Sequence, residues 1–186
     1  MNNKKKLIII ILILVLVIGI SYIAYKNLSS NYDERIVNED TIQEYEYAPN
    51  FSVYDKNGNR IMLTDFKGKS VVINYWASWC SPCISELPFF QDAIKKYKND
   101  DIVFLMINWN DGVRETKETV YNFIKENKYE FEVFYDTTGE IASKYACISI
   151  PQTFFIDKNG YLIIKHIGTI SEEKLDAEIR TLLKRK

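Results

Sequence analysis

The chain has 186 residues, 47% of them hydrophobic and 26% charged, which is enough for one globular domain of ordinary size with additional segments. Its 24 lysine and arginine residues are balanced by 25 aspartate and glutamate residues, and a protein without a basic excess is not expected to bind nucleic acid. Three cysteines are too few for a disulfide scaffold, so that class of fold is not expected either.

The amino-terminal segment is predicted to be a single-pass membrane anchor. Residues Leu7 to Tyr25 carry no charge, and a helix of this length would span roughly 28 Å, close to the ~30 Å hydrocarbon core of a bilayer. Lysines precede the segment and an acidic stretch follows it, so the positive-inside rule keeps the amino terminus in the cytoplasm and places the rest outside the cell membrane. A cleaved signal peptide is the alternative, although no convincing small-residue cleavage site is present.

Three parts are expected along the chain. Residues 1–26 would form the cytoplasmic tip and the transmembrane anchor, residues 27–46 an acidic linker, and residues 47–186 a folded domain. The linker is polar and poor in aliphatic residues, whereas the last part alternates apolar runs with helical patterns. This alternation predicts an α/β domain with a central mixed sheet.

The elements of the domain are read from periodicity and turns. Two runs are apolar throughout, which is typical of strands covered on both faces: Val71–Trp76 and Ile102–Ile107. Turn sequences separate two further pairs of strand-like runs, predicting two hairpins: Phe51–Tyr54 with Arg60–Leu63, and Thr153–Ile156 with Tyr161–Ile167. Helical spacing predicts three helices: Cys83–Tyr97, Arg114–Lys128, and one that begins at the N-cap residue Ser171.

A cysteine pair lies where a buried strand is expected to give way to a helix, in the sequence Trp76–Cys83 (WASWCSPC). The free N–H groups and the dipole of a helix start would stabilise a thiolate on Cys80, and Cys83 could then attack a mixed disulfide. A zinc site would need two further ligands, and the chain offers only Cys147 and His166, neither in a paired motif. A purely structural disulfide would close only a four-residue loop and would stabilise the fold weakly.

The order and spacing of these motifs resemble the thioredoxin superfamily, and more narrowly its membrane-anchored extracytoplasmic branch, the TlpA/ResA-like thiol–disulfide oxidoreductases. The similarity runs from about Ala48 to Ile179 and is carried by residues 48–83, by YACISIP at 145–151 and by TFFID at 153–157. It implies a thioredoxin-like fold, with a central mixed sheet flanked by helices, an amino-terminal β-hairpin extension and a single transmembrane helix. It implies no metal and no cofactor.

The resemblance also implies what the residues do. Cys80 would attack a substrate disulfide and Cys83 would resolve the mixed disulfide, so that the two form a redox-active disulfide. Glu86, three residues after Cys83, would take part in proton transfer. If Glu86 is ionised near the sulfurs, its charge opposes the helix dipole and brings the pKa of Cys80 towards that of a free thiol.

Substrate binding is implied for four residues: Trp79, Pro82, Ile150 and Pro151. Pro151 would be a cis-proline that lies against the sulfurs and offers the Ile150 backbone to a substrate chain, since only X–Pro bonds adopt the cis form cheaply. Four other residues are expected to have lesser roles: Asn74 in place of the buried aspartate of thioredoxin itself, Pro88 as a helix kink, Cys147 as a small buried hydrophobe and His166 in a structural or surface position.

The resemblance favours the reducing direction. The substrates would be disulfides of exported proteins, for example apocytochrome c or a spore-envelope protein, and a membrane thiol transporter would donate the electrons. Net oxidation or isomerisation is the alternative, because direction depends on reduction potential and partners. A peroxiredoxin-like thiol peroxidase would need a Thr/Ser-x-x-Cys loop and a supporting arginine, and no arginine is near Cys80 in the sequence. A copper-carrying chaperone would use Cys-x-x-x-Cys, one residue longer than the spacing here.

Overall fold

The computed structural model describes residues 12–26 and 45–185, in two units within residues 1–44 and 45–186. In the first unit, residues 12–26 form a helix (α1) whose side chains are exposed. Among the described residues, no helix is both long enough and apolar enough to cross a membrane. The first five residues of the predicted anchor, and the predicted linker up to residue 44, lie outside the described residues, so the anchor and the linker stay predictions.

The second unit is an α/β domain with a central mixed sheet, as predicted, and the sheet has seven strands. In chain order the strands are β1 (Ser52–Tyr54), β2 (Arg60–Met62), β3 (Ser70–Trp76), β4 (Ile102–Trp109), β5 (Val133–Asp136), β6 (Gln152–Ile156) and β7 (Leu162–Ile167). The helices are α2 (Ser81–Lys96), α3 (Lys117–Glu126), α4 (Glu140–Lys144) and α5 (Glu172–Lys184), and a short 3-10 helix spans Leu63–Phe66.

The strands lie in the order β2-β1-β5-β4-β3-β6-β7. The pairs β3–β4 and β4–β5 are parallel, and the pairs β1–β2, β1–β5, β3–β6 and β6–β7 are antiparallel. The parallel pairing of β3 with β4, in which Trp76 lies opposite Asn108, brings the carboxyl ends of the two strands to the same edge of the sheet. Loops that leave this edge are therefore neighbours in space even though they are far apart in the sequence.

Strand β3 is buried along its whole length because hydrophobic side chains cover both of its faces. Alternate side chains point to opposite faces of a strand, so Val72 and Trp76 belong to one hydrophobic cluster and Ile73 to the other. The first cluster contains side chains of α2 and α5, including Phe90 and Ile179. This two-sided cover explains why the apolar run at residues 71–76 was readable as a central strand.

Several element boundaries differ from those predicted. Helix α2 begins at Ser81 rather than at Cys83, because Cys80 is the N-cap residue and a proline suits the first turn. Helix α3 begins at Lys117 rather than at Arg114, because the hydroxyl of Thr116 accepts the first-turn N–H group of the helix. Strand β5 and helix α4 were not predicted at all, since four and five residues are too short for a clear periodicity.

The packing of α5 against the rest of the domain gives a first prediction. Ile179→Ala removes a fully buried side chain and should lower the free energy of unfolding by about 2–5 kcal/mol, because transfer and cavity costs add. Urea unfolding followed by tryptophan fluorescence measures the change. Ile148→Ala is the matched control, since Ile148 is 94% exposed and its truncation should change stability by less than about 0.5 kcal/mol. Equal effects of the two substitutions would contradict the placement of α5.

Candidate active site

The two cysteines of the motif lie at the start of α2 and differ in exposure. Their Sγ atoms are joined in a disulfide, with the Cα atoms 5.2 Å apart. The Cys83 N–H group donates a hydrogen bond to Cys80 Sγ at 3.3 Å, as expected for an N-cap residue. Cys80 is 6% exposed and Cys83 is fully buried. A partner molecule could therefore reach Cys80 from solvent, whereas Cys83 is accessible only from within the pair.

The loop before β6 lies against the same sulfur. The Ile150–Pro151 peptide bond is cis, and the carbonyl oxygen of Ile150 is 3.8 Å from Cys80 Sγ. Pro151 is buried and Ile150 is half-buried. The structure thus brings the Ile150 backbone to the cysteine pair, at the place where the resemblance implied a substrate contact. The substrate-binding role itself remains a prediction.

The other two residues with a predicted substrate role are next to the cysteines. Pro82 is exposed in the first turn of α2, and its carbonyl oxygen accepts a hydrogen bond from the Ser85 hydroxyl. Trp79 is half-buried, and its ring centroid lies 6.1 Å from that of Trp109, at the end of β4. Both side chains are accessible to a molecule that approaches Cys80.

Glu86 is fully buried on α2, and its carboxylate is held at both oxygens. Oε1 accepts a hydrogen bond from Asn74 Nδ2 at 2.7 Å, and Oε2 accepts one from the backbone N–H group of Ile170 at 2.7 Å. Burial raises the pKa of Glu86 to about 7, although the two hydrogen bonds act in the opposite direction. A solvated surface position is therefore excluded. The condition that Glu86 be ionised, under which it would oppose the helix dipole, is met only in part near neutral pH, because the carboxyl group can be protonated or ionised there.

Asn74, on β3, orients Glu86 and is itself buried. Its Nδ2 also lies 3.3 Å from the hydroxyl oxygen of Thr153, on the neighbouring strand β6. Its Oδ1 has no hydrogen-bond partner among the described residues. An asparagine at this position supplies a neutral donor to the carboxylate, where an aspartate would place a second negative charge beside it.

A second buried glutamate contacts the cysteine motif and was not predicted from the sequence. Glu115 is 1% exposed, and its Oε1 accepts hydrogen bonds from the backbone N–H of Ser78 and from Asn108 Nδ2, both at 2.6 Å. Its Oε2 accepts the Ser78 hydroxyl at 2.7 Å. Glu115 therefore anchors the turn that precedes Cys80. In the sequence it reads as one acid in a polar loop, and only the parallel pairing of β3 with β4 reveals its position.

The loop that carries Glu115 also brings an arginine to the site. Asp111 Oδ1 accepts the backbone N–H groups of three successive residues at 2.8–2.9 Å, which holds the loop in a tight turn. The Arg114 guanidinium lies 3.7 Å from the centroid of the Trp79 ring. No arginine is near Cys80 in the sequence, but the fold places Arg114, a residue 34 positions later in the chain, over the ring of the adjacent tryptophan.

The remaining candidates lie outside this arrangement. Cys147 is half-buried, its Sγ is 3.8 Å from the Ile141 carbonyl oxygen, and burial raises the pKa of its thiol to about 11. His166 Nε2 is 3.1 Å from the carbonyl oxygen of Thr169. Pro88 is exposed within α2. Over residues 12–26 and 45–185, no group of three or more His, Cys, Asp or Glu side chains could hold a metal ion.

Comparisons with known proteins agree with this geometry. Residues 45–166 match the AhpC/TSA family. The thiol–disulfide oxidoreductase ResA of Bacillus thuringiensis subsp. konkukian (strain 97-27) is 34% identical over 151 residues, which are 81% of this chain and 85% of that protein. ResA of Bacillus subtilis (strain 168) is 32% identical over 176 residues, or 94% of this chain and 92% of that protein.

Solved structures give the same fold. The crystal structure of StoA from Bacillus subtilis superposes with a TM-score of 0.61 at 29% identity, over 70% of this chain and 96% of that chain. A putative thiol:disulfide interchange protein DsbE from Chlorobium tepidum superposes with a TM-score of 0.67 at 28% identity, over 75% of this chain and 96% of that chain. The chain therefore belongs to the AhpC/TSA family, has a thioredoxin-like α/β fold and is a thiol–disulfide oxidoreductase similar to ResA.

Proposed function

We propose that this protein is a membrane-anchored, extracytoplasmic oxidoreductase that reduces disulfides in exported proteins. The observation that carries the chemistry is the cysteine pair at the start of α2, in which Cys80 keeps a small exposed fraction and Cys83 is fully buried. The reducing direction is supported by the similarity to ResA-like oxidoreductases. The location is supported by the uncharged segment Leu7–Tyr25 and by the lysines before it.

The reaction begins with the reduced pair. The Cys80 thiolate attacks one sulfur of a substrate disulfide, that S–S bond breaks, and the departing sulfur leaves as a thiolate and takes up a proton. Cys83 then loses its proton and attacks Cys80 Sγ. The mixed disulfide breaks, the second substrate sulfur leaves as a thiolate that is protonated, and the Cys80–Cys83 disulfide forms. Two electrons have passed to the substrate, and a thiol donor must return two electrons to the protein.

Glu86 is suited to receive the proton that Cys83 loses. It follows Cys83 by three residues on α2, and residues at this spacing lie on the same face of a helix. A carboxyl group with a pKa of about 7 can accept and release a proton near neutral pH, as a general base requires. Asn74 would hold the carboxylate in place through its 2.7 Å hydrogen bond.

The proposed setting is the outer side of the cell membrane. The segment 7–25 would be the transmembrane helix, or else a cleaved signal peptide, and either one exports the domain. The β1–β2 pair would correspond to the amino-terminal hairpin extension that the resemblance implies. Substrates would be exported proteins with disulfides, for example apocytochrome c during its maturation, and a membrane thiol transporter would supply electrons.

Trapping in vivo tests the function. Cys83→Ser cannot resolve the mixed disulfide, so clients should remain bound to Cys80 and be released by a reductant. The double variant Cys80→Ser/Cys83→Ser is the control and should capture nothing, whereas Cys147→Ser should behave as the wild type. A small set of clients that need reduced thiols supports the reducing direction, and broad capture of newly secreted chains supports oxidation. Absence of any complex with Cys83→Ser would refute the exchange reaction.

The buried carboxyl group gives a prediction for stability against pH. The folded-state pKa of Glu86 is about 7, above the ordinary value of 4.5, so the folded protein keeps a proton that the unfolded chain has lost. The stabilisation is fully present below about pH 4.5 and is lost as the pH rises through 7, a change of about 3 kcal/mol.

Urea unfolding of the wild type and of Glu86→Gln over this pH range measures the effect. The wild type should lose about 3 kcal/mol relative to Glu86→Gln between pH ~4.5 and pH ~8. Glu126→Gln, which changes an exposed glutamate of α3, should run parallel to the wild type. A constant difference between the wild type and Glu86→Gln at every pH would contradict the raised pKa.

A further inference from the structure

The Arg114 side chain occupies an unusual place for an exposed cation. Its guanidinium lies 3.7 Å from the centroid of the Trp79 ring, and Trp79 directly precedes Cys80, the less buried of the two cysteines. A guanidinium held over an aromatic ring by a cation–π contact can still donate its N–H groups to an anion. A positive charge is thus held beside the point at which a substrate disulfide must arrive.

The loop beneath this arginine is rigidly built. The Asp111 carboxylate accepts three successive backbone N–H groups, among them that of Arg114 at 2.8 Å. The next residue, Glu115, is buried and binds the backbone and hydroxyl of Ser78. Two adjacent residues therefore attach the loop to the cysteine motif, Arg114 through the Trp79 ring and Glu115 through Ser78. The position of the charge relative to the motif is set by these contacts rather than by a freely rotating surface side chain.

The charged residues in and around this loop differ in how accessible they are to a substrate. Glu115 has both carboxylate oxygens engaged inside the protein, so it is not available to a substrate. Asp111 is exposed, but its Oδ1 is directed to the backbone of its own loop. Lys165 donates hydrogen bonds to the carbonyl oxygens of Tyr145 and Ala146, in the segment that leads to the cis-proline. Among these charged residues, Arg114 is the one that contacts the residue next to Cys80.

We propose that Arg114 is a specificity-determining residue that favours disulfides flanked by acidic side chains. The inference rests on the proposed exchange at Cys80 and adds the substrate class: a carboxylate next to the substrate cysteine would pair with the guanidinium while the disulfide lies over Cys80. The attraction between two opposite charges ~8 Å apart at an effective dielectric of ~60 raises the rate of reduction about threefold over that of a neutral flank. A basic flank is repelled and lowers the rate about threefold, so substrates with acidic and basic flanks should differ about tenfold.

Matched disulfide peptides test the proposal. Three synthetic peptides would be identical except that glutamate, glutamine or lysine flanks the cysteines, and their reduction by the pre-reduced full-length protein would be followed in neutral detergent at low salt. The wild type should reduce the glutamate peptide about tenfold faster than the lysine peptide, and Arg114→Gln should remove most of this ratio. Arg114→Lys keeps the charge and should retain more than half of the preference. High salt should weaken the preference of the wild type.

Lys117→Gln is the matched control, because Lys117 also lies over an aromatic ring, that of Tyr135 at 5.1 Å, but not beside the cysteine motif. It should leave the ratio unchanged. If Arg114→Gln leaves the glutamate-to-lysine ratio unchanged, or slows all three peptides by the same factor, Arg114 does not select substrates and the proposal is overturned. Failure of the wild type to reduce any of the peptides would instead count against the exchange reaction itself.

Discussion

The turn from β3 into α2 is the constraint on which the site depends. Strand β3 is buried on both faces, so its last residue, Trp76, is held in the core, and α2 must begin within a few residues of it. Cys80 caps the helix and keeps a small exposed fraction, while Cys83 lies in the first turn and is fully buried. The difference in exposure between two chemically identical residues follows from this geometry, and it separates a sulfur that meets partners from one that only closes the ring.

Two buried carboxyl groups flank this turn and have different consequences. Glu115 receives three hydrogen bonds and anchors the segment before Cys80. Glu86 receives two, and burial raises its pKa to about 7, which destabilises the folded protein when the group is ionised. A proton acceptor that is tuned to neutral pH thus costs stability, a balance that is common at functional sites. Asn74 limits the cost, because it offers a neutral donor where a second acid would add repulsion.

Much of the fold could be predicted from the sequence because its main elements have strong local signals. The apolar run at residues 71–76, the N-cap at Ser171 and the Cys-x-x-Cys motif were all readable in this way. The cis peptide bond before Pro151 was implied by the resemblance and is present. What escaped prediction depends on tertiary contacts: β5 and α4 are too short to show a period, and Arg114 and Glu115 reach the site only through the parallel pairing of β3 with β4. Residues that lie far apart in the chain carry no local sign that they will meet.

Differential alkylation of the reduced protein tests the separation of the two sulfurs most directly. The fully reduced chain would be exposed briefly to a thiol-specific reagent near neutral pH, and modification at each cysteine would be quantified by peptide mass spectrometry. We expect Cys80 to react at least ~10 times faster than Cys83, since it is the less buried of the two and receives the helix-end stabilisation. Cys147, whose thiol pKa is raised to about 11, should react slowly and serves as an internal reference. Reaction of Cys83 at the rate of Cys80, or no reaction at either, would contradict the account.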